Sequence, residues 1–294
     1  MFSGSIPALV TPFAADGSFA EAAFRELVEW QIAEGSTALV ACGTTGEAAT
    51  LEKDEHFHVV RVCVDQAKGR VPVIAGAGSN DTRVAAANLA AAKAAGADAA
   101  LMVPPYYNRP SQDGIVQHFA ALAASAALPI VLYNVPGRTV TDILPATVIR
   151  IVRANPAVFV GIKDATGALQ RVSDHRAALG ADWCQLSGND DLALAYNSMG
   201  GHGCISVTAN VTPGLCAAFQ VACAAGDYAQ ARALHDRLYP LHVSLFTDAS
   251  PGPIKYALSR VRPAMPPALR LPMTWPSEPS QRAVDAGLAR AGLI

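Results

Sequence analysis

Clustered positive charge is missing from this 294-residue chain, which carries 22 Lys and Arg against 24 Asp and Glu for a formal net charge of −2. A nucleic-acid surface needs grouped Lys and Arg to neutralise phosphates, so that class of partner is excluded and small molecules are the expected ones. The six cysteines, Cys42, Cys63, Cys184, Cys204, Cys216 and Cys223, show no CxxC pair and no zinc-type spacing. Several lie in apolar runs, the pattern of reduced, buried thiols in a cytosolic protein. No apolar run of about 18 residues is free of charges and helix breakers, so no membrane span is expected. The opening MFSGSIPALVTPF lacks a basic region and is interrupted by Pro7 and Pro12, so no signal peptide is expected either. Charged residues make up only 16% of the chain and hydrophobic ones 51%, enough for a large core and too apolar for disorder. A soluble cytoplasmic protein is the expectation.

Short apolar runs alternate with longer Ala-rich amphipathic stretches. Eight runs read as strands: Ile6–Val10, Thr37–Cys42, Val71–Ala75, Asp98–Val103, Pro129–Asn134, Val158–Lys163, Trp183–Ser187 and Gly203–Val207. They are continuously apolar, as strands covered on both faces are. Helical patterns follow them over Glu21–Glu34, Glu52–Lys68, Asp81–Ala95, Gln112–Ala126, Pro145–Ala154, Leu169–Leu179, Asp190–Met199 and Pro213–Ala225. Thr50 is placed to cap the second helix, and Gly35 and Gly96 sit just past helix ends, where a left-handed residue is wanted. Eight βα units with right-handed crossovers fit a (β/α)8 barrel over residues 1–225. Three more helical patterns, Tyr228–Leu245, Ile254–Arg260 and Gln281–Ala291, form a C-terminal helical extension over 226–294, packed on the barrel or serving assembly.

A barrel keeps its chemistry at the C-terminal ends of its strands, which shortens the candidate roll. Lys163 ends the run Val158–Ile162 and points toward a barrel interior, where burial favours the neutral amine that attacks a carbonyl. A surface lysine is the bland alternative. Tyr133 projects from the neighbouring strand end, as a proton shuttle or as a core aromatic. Thr44 and Thr45 lie on a Gly-flanked turn before a helix, suited to hold a carboxylate or simply to make a tight turn. Arg138 follows Pro136-Gly137 and offers a fork of donors to a carboxylate, unless it is an ordinary surface arginine. His56 and His58, with Glu55, resemble a metal cluster. Their i, i+2 spacing puts them on different sides of a helix, away from the rim, and no metal site is expected. Gly76–Gly78 and Gly200–Gly203 lack a full phosphate-loop pattern and read as tight rim turns.

With these residues in view, the chain resembles the dihydrodipicolinate synthase family of pyruvate-dependent class I aldolases along nearly its whole length. The motifs run from GSIPALVTPF through CGTTGEAATL, VPVIAGAGSN, PPYYNRPSQ, LYNVPGRT, GIKDATG, LSGND and GGHGCISVTANV to LRLPM. The resemblance implies that Lys163 forms an imine with pyruvate and that Tyr133, Thr44 and Tyr107 make a hydroxyl relay. It implies that Thr45, Gly188 and Ile205 line the pyruvate pocket and that Arg138 binds the carboxylate of L-aspartate 4-semialdehyde. It implies that Tyr107 enters the site from a neighbouring subunit, in a tight dimer that commonly doubles to a tetramer. The product is 4-hydroxy-tetrahydrodipicolinate, on the route to diaminopimelate and lysine. No cofactor is implied, because the protonated imine is itself the electron sink.

The region matching the family's lysine-inhibition site keeps His56, Asn80 and Tyr106 but has Ala48, Lys53 and Val84 where sensitive relatives commonly have Ser, His and Glu. Aliphatic groups cannot pair with an ammonium ion and Lys53 repels it, so weak or absent lysine inhibition is expected. Rival readings are a sister lyase acting on N-acetylneuraminate or a 2-keto-3-deoxy sugar acid, which usually lacks the rim arginine, and an inactive barrel that senses lysine. A metal-dependent aldolase would need His and carboxylate ligands on the rim, which are absent from the sequence there.

Overall fold

β-Branched and other apolar residues at the eight expected places do form strands in the computed structural model, which describes residues 2–125 and 128–294. They are β1 (Gly4–Pro7), β2 (Leu39–Ala41), β3 (Val73–Gly76), β4 (Ala99–Met102), β5 (Ile130–Asn134), β6 (Phe159–Asp164), β7 (Cys184–Ser187) and β8 (Gly203–Ser206). All pairings are parallel, in the order β1-β8-β7-β6-β5-β4-β3-β2. A bridge between Ala8 and Val40, with the Leu9 N–H donating to the Val40 carbonyl at 3.0 Å, joins the two ends and closes a (β/α)8 barrel.

Helices α1 (Glu21–Ala33), α2 (Lys53–Ala67), α3 (Thr82–Ala94), α4 (Gln112–Ser125), α5 (Pro136–Thr139), α6 (Pro145–Ala154), α7 (Gln170–Leu179), α8 (Ala193–Ser198) and α9 (Pro213–Ala224) follow the strands. Three more, α10 (Tyr228–Ser244), α11 (Gly252–Val261) and α12 (Glu278–Ala291), come after them, with α10 packed on α9 and α12. Of the expected fourth helix, Ala126 lies outside the described residues, as does Met1 at the start of the expected barrel span.

Strand side chains sort into two layers. Ile6, Val40, Ile74, Leu101, Val131, Leu186 and Ile205 form a cluster filling the lumen. Leu39, Ala75, Ala100, Met102, Ile130, Leu132 and Ile162 face outward into a larger cluster shared with the helices. This two-sided burial is why the strands read as unbroken apolar runs.

Several local expectations are corrected. Thr50 does not cap α2: it sits in a 3-10 turn (Ala48–Thr50), and its hydroxyl donates to the Glu47 carbonyl at 3.1 Å. Glu52 takes the N-cap position without a side-chain bond. The stretch Asp190–Met199 is not one helix but a 3-10 turn (Asp190–Leu192) running into the short α8. Gly200–Gly203 is not a rim turn, since it enters β8 and so lies at the N-terminal end of the barrel. Gly35 and Gly96 do take positive φ, 96° and 88°, as helix-terminating residues do.

Candidate active site

Which face of β6 carries Lys163 is decided by one irregularity in the sheet. Ile130 pairs with Phe159, but the next residue, Val131, pairs with Gly161, so β6 holds one extra residue, Val160, against β5. Side chains alternate along a strand, and a bulge resets that alternation. Phe159 faces the helices; regular alternation would then send Lys163 outward as well. After the bulge, Ile162 pairs with Leu132 on the outer face and Lys163 pairs with Tyr133 on the lumenal one. Gly161 fits there because a Cβ would stand 2.7 Å from both the Cβ and the carbonyl oxygen of Cys184.

Lys163 is therefore buried, at 5% exposure, with its Nζ 4.4 Å from the centroid of the equally enclosed Tyr133 ring. Tyr133 in turn lines a cleft of about 630 Å³ at the C-terminal mouth, together with Thr44, Arg138 and Tyr106. An amine beside a phenol under such a cleft has the groups to add to a carbonyl and to find a proton donor in the same place.

The other expected residues fall into three groups. Thr44 reaches the cleft from the exposed side of the 43–47 turn, whereas Thr45 is buried. Gly46 N–H and Glu47 N–H donate to the carbonyls of Gly43 and Thr44 at 3.1 Å each, which shapes that turn. Arg138 is exposed at the end of α5, where Pro136 and Gly137 open a single helical turn. Gly188 and Ile205 stand at the ends of β7 and β8. The Gly188 N–H donates to Asp164 at 2.7 Å, and a Cβ on Gly188 would come within 2.6 Å of Ala165.

Tyr107 does not line this cleft. It is 89% exposed, with φ of 72°. The lysine-site candidates Ala48, Lys53, His56, Val84 and Tyr106 line the same cleft as Tyr133, but Asn80 does not; its carbonyl accepts from Asn108 Nδ2 at 2.9 Å.

His56 is closer to the rim than expected. Its Nε2 lies 2.7 Å from the Gly76 carbonyl at the end of β3, and burial holds its pKa below the ordinary histidine value. His58 points elsewhere, 3.1 Å from Glu21. Among the described residues, no group of three His, Cys, Asp or Glu is arranged to hold a metal ion.

Two carboxylates that the sequence did not single out brace the rim. Asp190 accepts from the Ser206 hydroxyl and, at 2.8 and 3.2 Å, from the N–H groups of Val207 and Thr208, tying the end of β7 to that of β8. Glu47 forms a buried ion pair with Lys255, Nζ to Oε1 2.6 Å. Neither partner carries a local signal, since each lies far from its carboxylate in the chain.

The chain is similar to known proteins over its whole length. The model of the dihydrodipicolinate synthetase family matches residues 1–291. A curated protein of Rhizorhabdus wittichii called 4-hydroxy-tetrahydrodipicolinate synthase is 65% identical over 293 residues, all of both chains. One of the same name from Novosphingobium aromaticivorans is 63% identical, covering 100% of this chain and 99% of the other. Among solved structures, a chloride-inhibited dihydrodipicolinate synthase of Acinetobacter baumannii, complexed with pyruvate, superposes with a TM-score of 0.96 at 41% identity over the full length of both chains.

Proposed function

The chain belongs to the dihydrodipicolinate synthetase family, and from that premise we propose that it is a Schiff-base lyase condensing pyruvate with L-aspartate 4-semialdehyde. The observation that carries the reading is the pairing of Lys163 with Tyr133 on the lumenal face, beneath a cleft lined by Thr44 and Arg138.

Lys163 adds to the pyruvate ketone and expels water, forming an imine. Loss of a methyl proton then gives an enamine whose carbon attacks the aldehyde, and the aldehyde oxygen takes up a proton. Tyr133, whose ring centroid lies 4.4 Å from Nζ, is the proton carrier for these steps, passing protons to Thr44 at the mouth. The substrate amino group then displaces Lys163 from the imine carbon and closes the ring of 4-hydroxy-tetrahydrodipicolinate. One water is released in all, and Lys163 returns as a free amine. Thr45, Gly188 and Ile205 shape the pyruvate pocket. Arg138, exposed on the rim, receives the carboxylate of the second substrate. That fork also disfavours a sister lyase, since enzymes that accommodate polyhydroxylated chains usually lack the rim arginine.

Pyruvate with sodium borohydride should fix a reduced adduct on Lys163, found by peptide mapping, and the untreated protein should consume aspartate semialdehyde. No adduct on Lys163 would sink the mechanism, and an adduct without turnover of that aldehyde would point to a sister lyase.

We infer further that the working form is an oligomer of tight dimers, up to a tetramer, in which Tyr107 of one copy completes the relay of another. Its exposure and left-handed backbone, rare for a bulky residue, are consistent with a side chain held out for a neighbour.

A further inference from the structure

Glu47 closes the turn that carries Thr44 and Thr45, and it does so in a left-handed conformation, φ 55° and ψ 35°, which a residue with a side chain adopts only when its surroundings impose it. The turn's own hydrogen bonds reach from Gly43 to Thr50 and contain nothing that would hold that backbone down onto the barrel, apart from the Thr11 hydroxyl donating to the Gly46 carbonyl at 2.7 Å.

What holds it comes from the other end of the chain. The Glu47 carboxylate is buried, its side chain 1% exposed, and one oxygen lies 2.6 Å from the ammonium of Lys255, itself 2% exposed on α11. The other oxygen accepts from the backbone N–H of Arg270 at 3.1 Å. Lys255 is fixed in turn: it donates to the Ala268 carbonyl at 2.8 Å and stands 4.3 Å above the Phe13 ring. Arg270 grips the opposite edge of the same region with two 2.6 Å bonds to Glu55, in the first turn of α2. The same C-terminal segment contributes Pro251, Pro272 and Met273 to the cleft.

A buried ion pair adds little net stability over apolar residues of similar volume, because desolvating both charges cancels most of their attraction. What it supplies is direction, since a carboxylate with two fixed donors has one allowed position. The cost of desolvation is visible at Lys255, whose pKa burial pushes down to about 8 in spite of Glu47 beside it.

We propose that the Glu47–Lys255 ion pair is a positioning device for the reaction, setting the Thr44–Thr45 turn against the pyruvate pocket from the C-terminal segment. This rests on the function proposed above. Displacing the turn by a fraction of an ångström moves the Thr44 hydroxyl and the buried Thr45 together, while Arg138, on α5, is held independently by the Pro136–Thr139 turn.

The test is the paired substitution Glu47→Gln with Lys255→Met, which removes both charges and keeps an acceptor for the Arg270 N–H. The expected result is a folded protein whose KM for pyruvate rises, so that kcat/KM for pyruvate falls by between about 10- and 100-fold. The KM for aspartate semialdehyde should stay within about twofold. Removing the exposed Arg260–Asp285 pair of the same segment, by Arg260→Met with Asp285→Asn, should leave both constants unchanged. A merely structural role would instead lower the active fraction and so kcat alone, with both KM values intact, and that pattern overturns the proposal. So does full pyruvate efficiency in the folded paired variant. Glu47→Gln alone, which leaves Lys255 an amide oxygen to face, gives the same reading if the paired variant does not fold. Borohydride trapping of pyruvate on wild-type Lys163 runs alongside. Its failure would remove the proposed function, whereas its success with an unaffected variant would remove this inference alone.

Discussion

Tyr133 is held by its place in the lumenal cluster, so its ring is a wall as much as its hydroxyl is a reagent. The two roles separate in Tyr133→Phe, which keeps the wall. If the phenol carries protons for imine formation and carbon–carbon bond formation, kcat should drop by about 10²- to 10⁴-fold in a steady-state assay. Circular dichroism and the melting midpoint should hardly move, because the phenol has no hydrogen-bond partner among the described residues whose loss would be felt. Near-normal kcat would assign proton transfer to another group. Thr44 and Arg138, both exposed, could be recognised as candidates only from their motifs; their accessibility follows from the turn and the helical turn that carry them.

At the level of single elements, the bulge in β6 is what turns a strand-ending lysine into a buried lumenal one. Gly161→Ala should collide with Cys184, whose Cβ and carbonyl oxygen would each be 2.7 Å away, and the strand must shift to relieve it. A loss of about 1–3 kcal/mol in denaturant unfolding is expected, with slower trapping of pyruvate on Lys163. Unchanged stability and trapping would show that the bulge has slack. The cleft between the 43–47 turn, α2 and α3 gives a second outcome. Lys53 and Val84 are exposed on it and Ala48 partly so, leaving a free ammonium no carboxylate among these three and one repelling charge. Inhibition of steady-state turnover by L-lysine should therefore be weak, and half-inhibition below about 1 mM would contradict this, since it requires several kcal/mol of binding. The eight strands were legible in the sequence because each is apolar on both faces, and most of their helices because of amphipathic spacing, with Gly35 and Gly96 marking two of their ends. Which way Lys163 faces was legible only by assuming a lumenal strand end, since the extra residue Val160 looks like any other valine of the run. The short helix at Pro136–Thr139 was hidden because Pro-Gly reads as a turn. Thr50 was misassigned because its hydroxyl serves the carbonyl of Glu47, a local competition that a capping pattern does not reveal.

For the molecule as a whole, the proposed donation of Tyr107 between copies would leave a single chain short of one relay hydroxyl. Lys163→Ala and Tyr107→Phe should each be nearly inactive alone. Mixed after co-refolding, they should regain up to about a quarter of wild-type turnover, because a hybrid pair joins one intact lysine to one donated tyrosine. No recovery on mixing would mean that Tyr107 acts within its own chain or not at all. A last consequence concerns order in time. The amide of Arg270 that meets Glu47 lies 223 positions later in the chain, and contacts so remote in sequence are among the last to form. During synthesis, nearly the entire barrel emerges before the residues that finish its mouth. A chain ending before Lys255 would lack both groups that meet Glu47, and with them the hold on the turn that carries Thr44 and Thr45.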